Sequence, residues 1–101
     1  METERSLSTA VVSLAGYSKV ELNTEERIIC ESLEALNYGV YIEQIREYLE
    51  RKKHLERTSR QVYFAVRNLT VKGFIRKEER SRGFIYFLES ENWSNFLRNR
   101  N

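Results

Sequence analysis

The sequence predicts an α+β fold, mainly α: a three-helix core followed by a β-hairpin, with extra helical segments at both termini. Two patterns predict the architecture. Apolar residues recur at helical spacing in three successive windows, and after Gly73 the period falls to about 2 across two aromatic-rich runs joined by a basic turn. A third observation, the charge, bears on what such a domain would meet. Residues 1–50 hold four Lys and Arg against ten acidic residues, a formal −6, whereas residues 51–101 hold thirteen against five, a formal +8. A split of this size between halves suggests a cationic face turned toward a polyanion.

At 101 residues the chain suits one domain with a single core. Its 41% hydrophobic and 32% charged composition is that of a globular protein, and no run approaches the ~18 apolar residues of a membrane span. The start, Met-Glu-Thr-Glu-Arg, lacks the basic and apolar regions of a secretory signal, so a cytoplasmic location is expected. Cys30 and His54 are the sole residues of their kinds, which excludes an intramolecular disulfide and a Cys/His zinc site within one chain. Cys30 falls between apolar residues of a helical window and reads as a small buried hydrophobe, and His54 stands in a basic run. Neither has a nucleophile, base or orienting group beside it, so no enzyme, metal or cofactor is expected.

Residues 1–22 read as an arm or short helix, with Leu7, Val11 and Leu14 at i, i+4 and i+7 before Gly16. The core unit is expected over 23–89. Asn23 with Glu26 three residues on is a capping-box pair, and Ile29, Leu33 and Leu36 carry the buried face of the first helix up to Asn37 and Gly39. Val40 and Tyr41 could pair briefly with the hairpin. Ile42, Ile45 and Leu49 then mark a second helix ending near Lys53, with residues 54–57 as the turn.

The third helix, over 58–72, opens on Thr58 or Ser59 as cap, buries Val62, Val66 and Leu69, and stops at Gly73, where positive φ is available. Projected at ~100° per residue, its opposite face carries Arg60, Phe64, Arg67 and Val71, flanked by Asn68. Tyr63 falls off that face, at the edge of the core. Phe74, Ile75 and Arg76 open one strand and residues 84–88 form the other, leaving 78–83 as a turn tipped by Arg80-Ser81-Arg82-Gly83. Residues 90–101 hold a last short helix, with Trp93, Phe96 and Leu97 at i, i+3 and i+4 after a Ser90 cap. Apolar patterns outside the core unit need a partner, so Leu7, Val11, Leu14, Trp93, Phe96 and Leu97 are the candidate contacts of a homodimer, with Trp93 and Phe96 at its centre.

Helix, turn, helix and hairpin in this order form a winged helix-turn-helix, in which one stretch supplies a groove-sized helix and a cationic wing. The residues carrying that order resemble winged-helix transcription regulators of the PadR and MarR kinds, and small winged-helix DNA-binding proteins of archaeal viruses and plasmids. The similarity spans residues 23–88 and is most specific in Val62-Tyr63-Phe64-Ala65-Val66-Arg67-Asn68-Leu69 and Lys72-Gly73-Phe74-Ile75, with Tyr38-Gly39 and Ile42 adding to it. It departs from the PadR pattern at Phe64, where proline is frequent, and in having no long coiled-coil helix after the wing.

The resemblance implies double-stranded DNA as partner and regulation, as a repressor, as function. It places the third helix in the major groove through Ser59, Arg60, Gln61, Phe64, Arg67, Asn68 and Lys72, and the wing of residues 77–82 on backbone or minor groove through Lys77, Arg80 and Arg82. The chemistry suits that role: arginine can donate twice to guanine, Asn or Gln can pair with adenine, and Phe64 can touch a thymine methyl. Two alternatives share the local features, a plasmid-partition centromere-binding protein and a winged-helix protein-interaction module.

Overall fold

The computed structural model describes residues 20–99, so the Leu7, Val11 and Leu14 pattern lies outside the described residues. Five segments follow the expected order: α1 (Thr24–Leu36), α2 (Ile42–Lys52), α3 (Ser59–Val71), a hairpin of β1 (Ile75–Arg80) and β2 (Gly83–Leu88), and α4 (Ser90–Arg98). The caps form as their chemistry dictates. Asn23 Oδ1 accepts from the Glu26 N–H at 2.7 Å while Glu26 Oε1 accepts from the Asn23 N–H at 2.9 Å. Thr58 and Gln61 make the same reciprocal pair at 3.1 and 2.9 Å, so Thr58 is the cap of α3. Asn37 closes α1 in the left-handed region at φ 60°.

Three helices and the base of the hairpin enclose one core. Ile29, Cys30 and Leu33 of α1, Ile45 and Leu49 of α2, and Val62, Val66 and Leu69 of α3 are buried together with Val40, Phe74, Ile75 and Tyr86. Burial, aided by Glu26, Glu31 and Glu34, pushes the Cys30 thiol up to about 12, which keeps it an inert neutral group. Of the expected third strand, Val40 alone pairs: it exchanges hydrogen bonds of 3.1 and 2.8 Å with Tyr86. Tyr41 is already the N-cap of α2, where its N–H donates to Gln44 Oε1 at 2.8 Å.

The hairpin is longer and its tip tighter than the expected 78–83 turn. Pairing runs from Ile75 opposite Leu88 to Arg80 opposite Gly83, so Ser81 and Arg82 alone make the reversal. Gly83 permits this by adopting φ 121°, a conformation side chains rarely take.

The C-terminal segment corrects two expectations. Its N-cap is Glu89, without a side-chain cap bond, and Ser90 is the first helical residue. Trp93 is not available as the centre of an interface, because only 1% of it is exposed within its own chain. Its ring meets Phe74 edge-on and stacks on Phe96, and its Nε1 donates to Glu34 at 3.1 Å. Two backbone anchors hold α4 there: the Glu89 N–H donates to the Phe74 carbonyl at 2.8 Å and Asn92 Nδ2 to the Gly73 carbonyl at 2.6 Å.

Among the described residues Glu26 is the one buried acid, 2% exposed, and its neutralisation comes from the far end of α3. Lys72 Nζ donates to its two carboxylate oxygens at 2.9 and 3.2 Å and to the Glu21 carbonyl at 3.0 Å. Lys72→Ala would strand a buried carboxylate. Because water reaches the lysine, we expect a loss of about 2 kcal/mol, below the ~3–5 of a fully buried pair, while Glu26→Gln, which keeps the acceptor for Asn23, should cost about half as much. Urea unfolding of both variants checks the order; equal losses would show that the stranded carboxylate carries no penalty beyond loss of the pair.

Candidate functional site

Charge pairing inside the fold decides which cations remain for a ligand. Lys53 pairs with Glu31 at 3.7 Å, Arg57 with Glu25 at 3.2 Å and Lys72 with Glu26, each joining the basic half to the acidic one. Arg76 is flanked by Glu78 and Glu89, and Arg80 Nη2 lies 2.7 Å from Glu78. Those arginines hold the Glu78 carboxyl below its ordinary value, the Arg80 hydrogen bond contributing most. On α3 and the hairpin, Arg60, Arg67, Lys77 and Arg82 are left without a carboxylate partner among the described residues. The +8 of the second half is thus not a uniform cationic face; among the described residues it resolves into these four side chains, a second group of Arg51 and Lys52 at the end of α2, and Arg98 on α4.

On α3 the outward stripe is built around Phe64. Its ring is 38% exposed, and the guanidiniums of Arg60 and Arg67 both lie 5.2 Å from its centroid, one helical turn to either side. Cations over an aromatic face are held electrostatically, which fixes both guanidiniums without neutralising them. Asn68 and Gln61 stand on the edge toward α1, where with Ala65 and Phe64 they line a shallow depression that includes Asn23 and Glu25. Gln61 has its carboxamide oxygen engaged in the Thr58 cap. Ser59 donates its hydroxyl to Glu43 of α2, and that bond, ahead of Arg46, holds the Glu43 carboxyl below its ordinary value.

Lys72 corrects an expectation: its ammonium is directed at Glu26 and stabilises the fold, leaving it no role on the outward face. Tyr63 corrects another. It is 42% exposed, its ring edge meets Phe64 at 5.5 Å, and it lines a cleft of about 190 Å³ between α3 and the hairpin with Arg67, Thr70, Val71, Lys77 and Tyr86. The face of the hairpin shared by Lys77 and Tyr86 also carries Phe84, 42% exposed, with the Lys77 ammonium 4.7 Å from its ring. Phe84 is a site residue missed by sequence reasoning; the signal was there, since residues 84–88 are apolar on both faces of a strand that can bury only one. Arg82 occupies the two-residue tip. Arg60, Phe64 and Arg67 are brought together, and Arg67 lines one cleft with Lys77; Ser59 and Lys72 stand apart, bound to glutamates.

Among the described residues no cluster of three His, Cys or acidic side chains could hold a metal ion, and no helix is long and apolar enough to cross a membrane. No protein-family model matches the chain, and no curated protein matches it in sequence. A solved structure does resemble it: the one described as "F93 from STIV, a winged-helix DNA-binding protein" superposes with a TM-score of 0.66 at 16% identity, over 80% of this chain and 88% of that one. The helix order, the turn between α2 and α3, the paired hairpin and this likeness together show that the chain has the winged-helix fold.

Proposed function

We propose that this chain is a sequence-specific double-stranded DNA-binding protein, a homodimeric transcriptional repressor acting in the cytoplasm, with no catalytic step of its own. Helix α3 enters the major groove and the wing of residues 77–82 lies on backbone or minor groove. One observation carries the reading: the cations of α3 and the hairpin that no glutamate neutralises, Arg60, Arg67, Lys77 and Arg82, are those of the outward helix face and the wing. The solved relative's description as DNA-binding supports it. Arg60, Phe64 and Asn68 are the groove-facing candidates for base contact, through guanine, a thymine methyl and adenine respectively.

A second reading, a protein-interaction module, is favoured by the exposure of Tyr63, Phe64, Val71 and Phe84 on the same side. The two separate in a gel-shift titration of the full chain with duplex DNA over a salt series. DNA binding through phosphates should give a steep negative slope of log affinity against log salt; no shift at low salt, or a slope near zero, would sink it.

Within the DNA reading, Arg82→Ala should lower the slope by about one unit per monomer, and Arg80→Ala by less, because Glu78 already balances that guanidinium. Equal effects would mean that the Glu78 pair opens on the duplex. Arg60→Ala should relax preference at one base pair, costing ~1–3 kcal/mol there. Selection from a random pool checks this, and an unchanged consensus removes Arg60 from base readout.

Dimerisation would set two copies of α3 about one helical turn apart, ~34 Å, on a near-palindromic site. With Trp93 in the core of its own chain, the remaining candidate contacts are the half-buried Phe96, Leu97, 44% exposed, and Leu7, Val11 and Leu14, which lie outside the described residues. Light scattering at micromolar concentration should give twice the monomer mass. A monomer on both free protein and bound duplex would overturn this part of the proposal.

A further inference from the structure

Where the outer edge of α3 meets the hairpin, the fold leaves a phenol without a protein partner. Tyr86 is 5% exposed and its backbone is bonded to Val40, yet its phenol oxygen makes no hydrogen bond among the described residues. A phenol that no protein group satisfies, on the wall of a cleft, is a donor open to water or to a ligand. Burial, and secondarily the neighbouring Tyr63, holds the Tyr86 phenol above its ordinary value, which keeps it a proton donor at neutral pH.

The cleft that Tyr86 lines carries anion-binding donors on a largely apolar wall. Arg67 from α3 and Lys77 from β1 bring two cations that no carboxylate balances, Tyr63 adds a second phenol, and no acidic residue is among the lining side chains. Its volume of about 190 Å³ is that of several waters at ~30 Å³ each, ample for one tetrahedral anion together with water. A guanidinium, an ammonium and a phenol offer charge-assisted donors, which favour a phosphate with its several acceptor oxygens.

We propose that this cleft holds one phosphodiester of a DNA backbone, gripped jointly by Arg67 of the helix and Lys77 of the wing with the Tyr86 hydroxyl as a third donor. The assignment rests on the DNA-binding reading and makes it more specific. One phosphate would then bridge helix and wing and set the register of α3, and Arg67 would be a backbone contact, leaving base readout to Arg60, Phe64 and Asn68.

The test uses the full chain with Arg67→Ala, Lys77→Ala, the double variant and Tyr86→Phe. A shared phosphate predicts that the double variant lowers the salt slope by about 0.9, that each single variant lowers it by less because the other cation still meets the same phosphate, and that the selected consensus is unchanged. In a duplex carrying uncharged methylphosphonates one position at a time, one position should weaken the wild type roughly 5- to 10-fold and leave the double variant unaffected, as expected for a single lost contact. Tyr86→Phe should weaken binding about 3-fold with an unchanged melting midpoint, since removing an unpartnered hydroxyl costs the fold nothing.

Slope losses that add to ~1.8 in the double variant, or an altered consensus for Arg67→Ala, overturn the shared cleft while the DNA reading stands. If wild type binds no duplex, inorganic pyrophosphate titrated against amide shifts of Thr70, Val71 and Tyr86 decides the site by itself. Saturable shifts lost in the double variant keep the phosphate site with a small-molecule source. No shifts, or shifts with an acidic peptide alone, overturn it.

Discussion

A buried carboxylate at the start of α1 orders the rest of the molecule. Glu26 closes its own helix by accepting the Asn23 N–H, and it needs a cation to be buried at all. That cation is Lys72, the C-cap of α3. The contact therefore ties the beginning of one helix to the end of another across 46 residues of sequence. With both ends of α3 fixed, by the Thr58 cap at one and Lys72 at the other, its rotation is determined, and so is the side on which Arg60, Phe64 and Arg67 emerge. The hairpin leaves from the same corner, where Gly73 takes φ 91° and the Phe74 N–H returns to the Leu69 carbonyl at 2.9 Å. Helix face and wing are placed relative to each other by one junction.

The glutamates do a second job by subtraction. Each cross-element pair anchors a helix and removes a cation from the set available to a ligand, so the net charge of +2 says little about where a polyanion would land. Exposed pairs of this kind contribute little stability individually. Their larger effect is on the field: with Lys53, Arg57, Lys72, Arg76 and Arg80 balanced locally, unbalanced charge on α3 and the hairpin is confined to its outward face and tip. Phe64 strengthens the arrangement, because an aromatic ring holds two guanidiniums in place while leaving their donors free.

Most of the architecture is legible in the sequence because it is written in local chemistry. Asn23 with Glu26 and Thr58 before α3 are caps that any solvent-exposed chain would use, and the stripes Ile29/Leu33 and Val62/Val66/Leu69 have nowhere to go but a core. What escapes a linear reading is whatever depends on distant partners. A Trp93/Phe96 stripe says that a face is buried but not in which chain; here the pocket formed by Phe74 and Glu34 takes it. Lys72 reads as a basic end to a recognition helix until Glu26 arrives beside it. Tyr63 sits at the margin of the helical wheel, and its exposure depends on how far the hairpin leans away from α3. The length of the hairpin is likewise underread, since charged residues such as Glu78 and Glu79 look like a loop until the ladder pairs them with Ile85 and Phe84.

The placement of Trp93 has a practical corollary. It is the chain's single tryptophan, carried by α4 against Phe74 and Glu34 of α1 and absent from the lining of the cleft under the wing. Its emission is therefore an internal gauge of whether α4 remains docked and the core closed, insensitive to a ligand on the outward face of α3. The tyrosines divide differently, with Tyr63 and Tyr86 both beside that cleft. A tryptophan signal that holds constant while a duplex binds thus tells a binding event apart from partial unfolding without attaching a label.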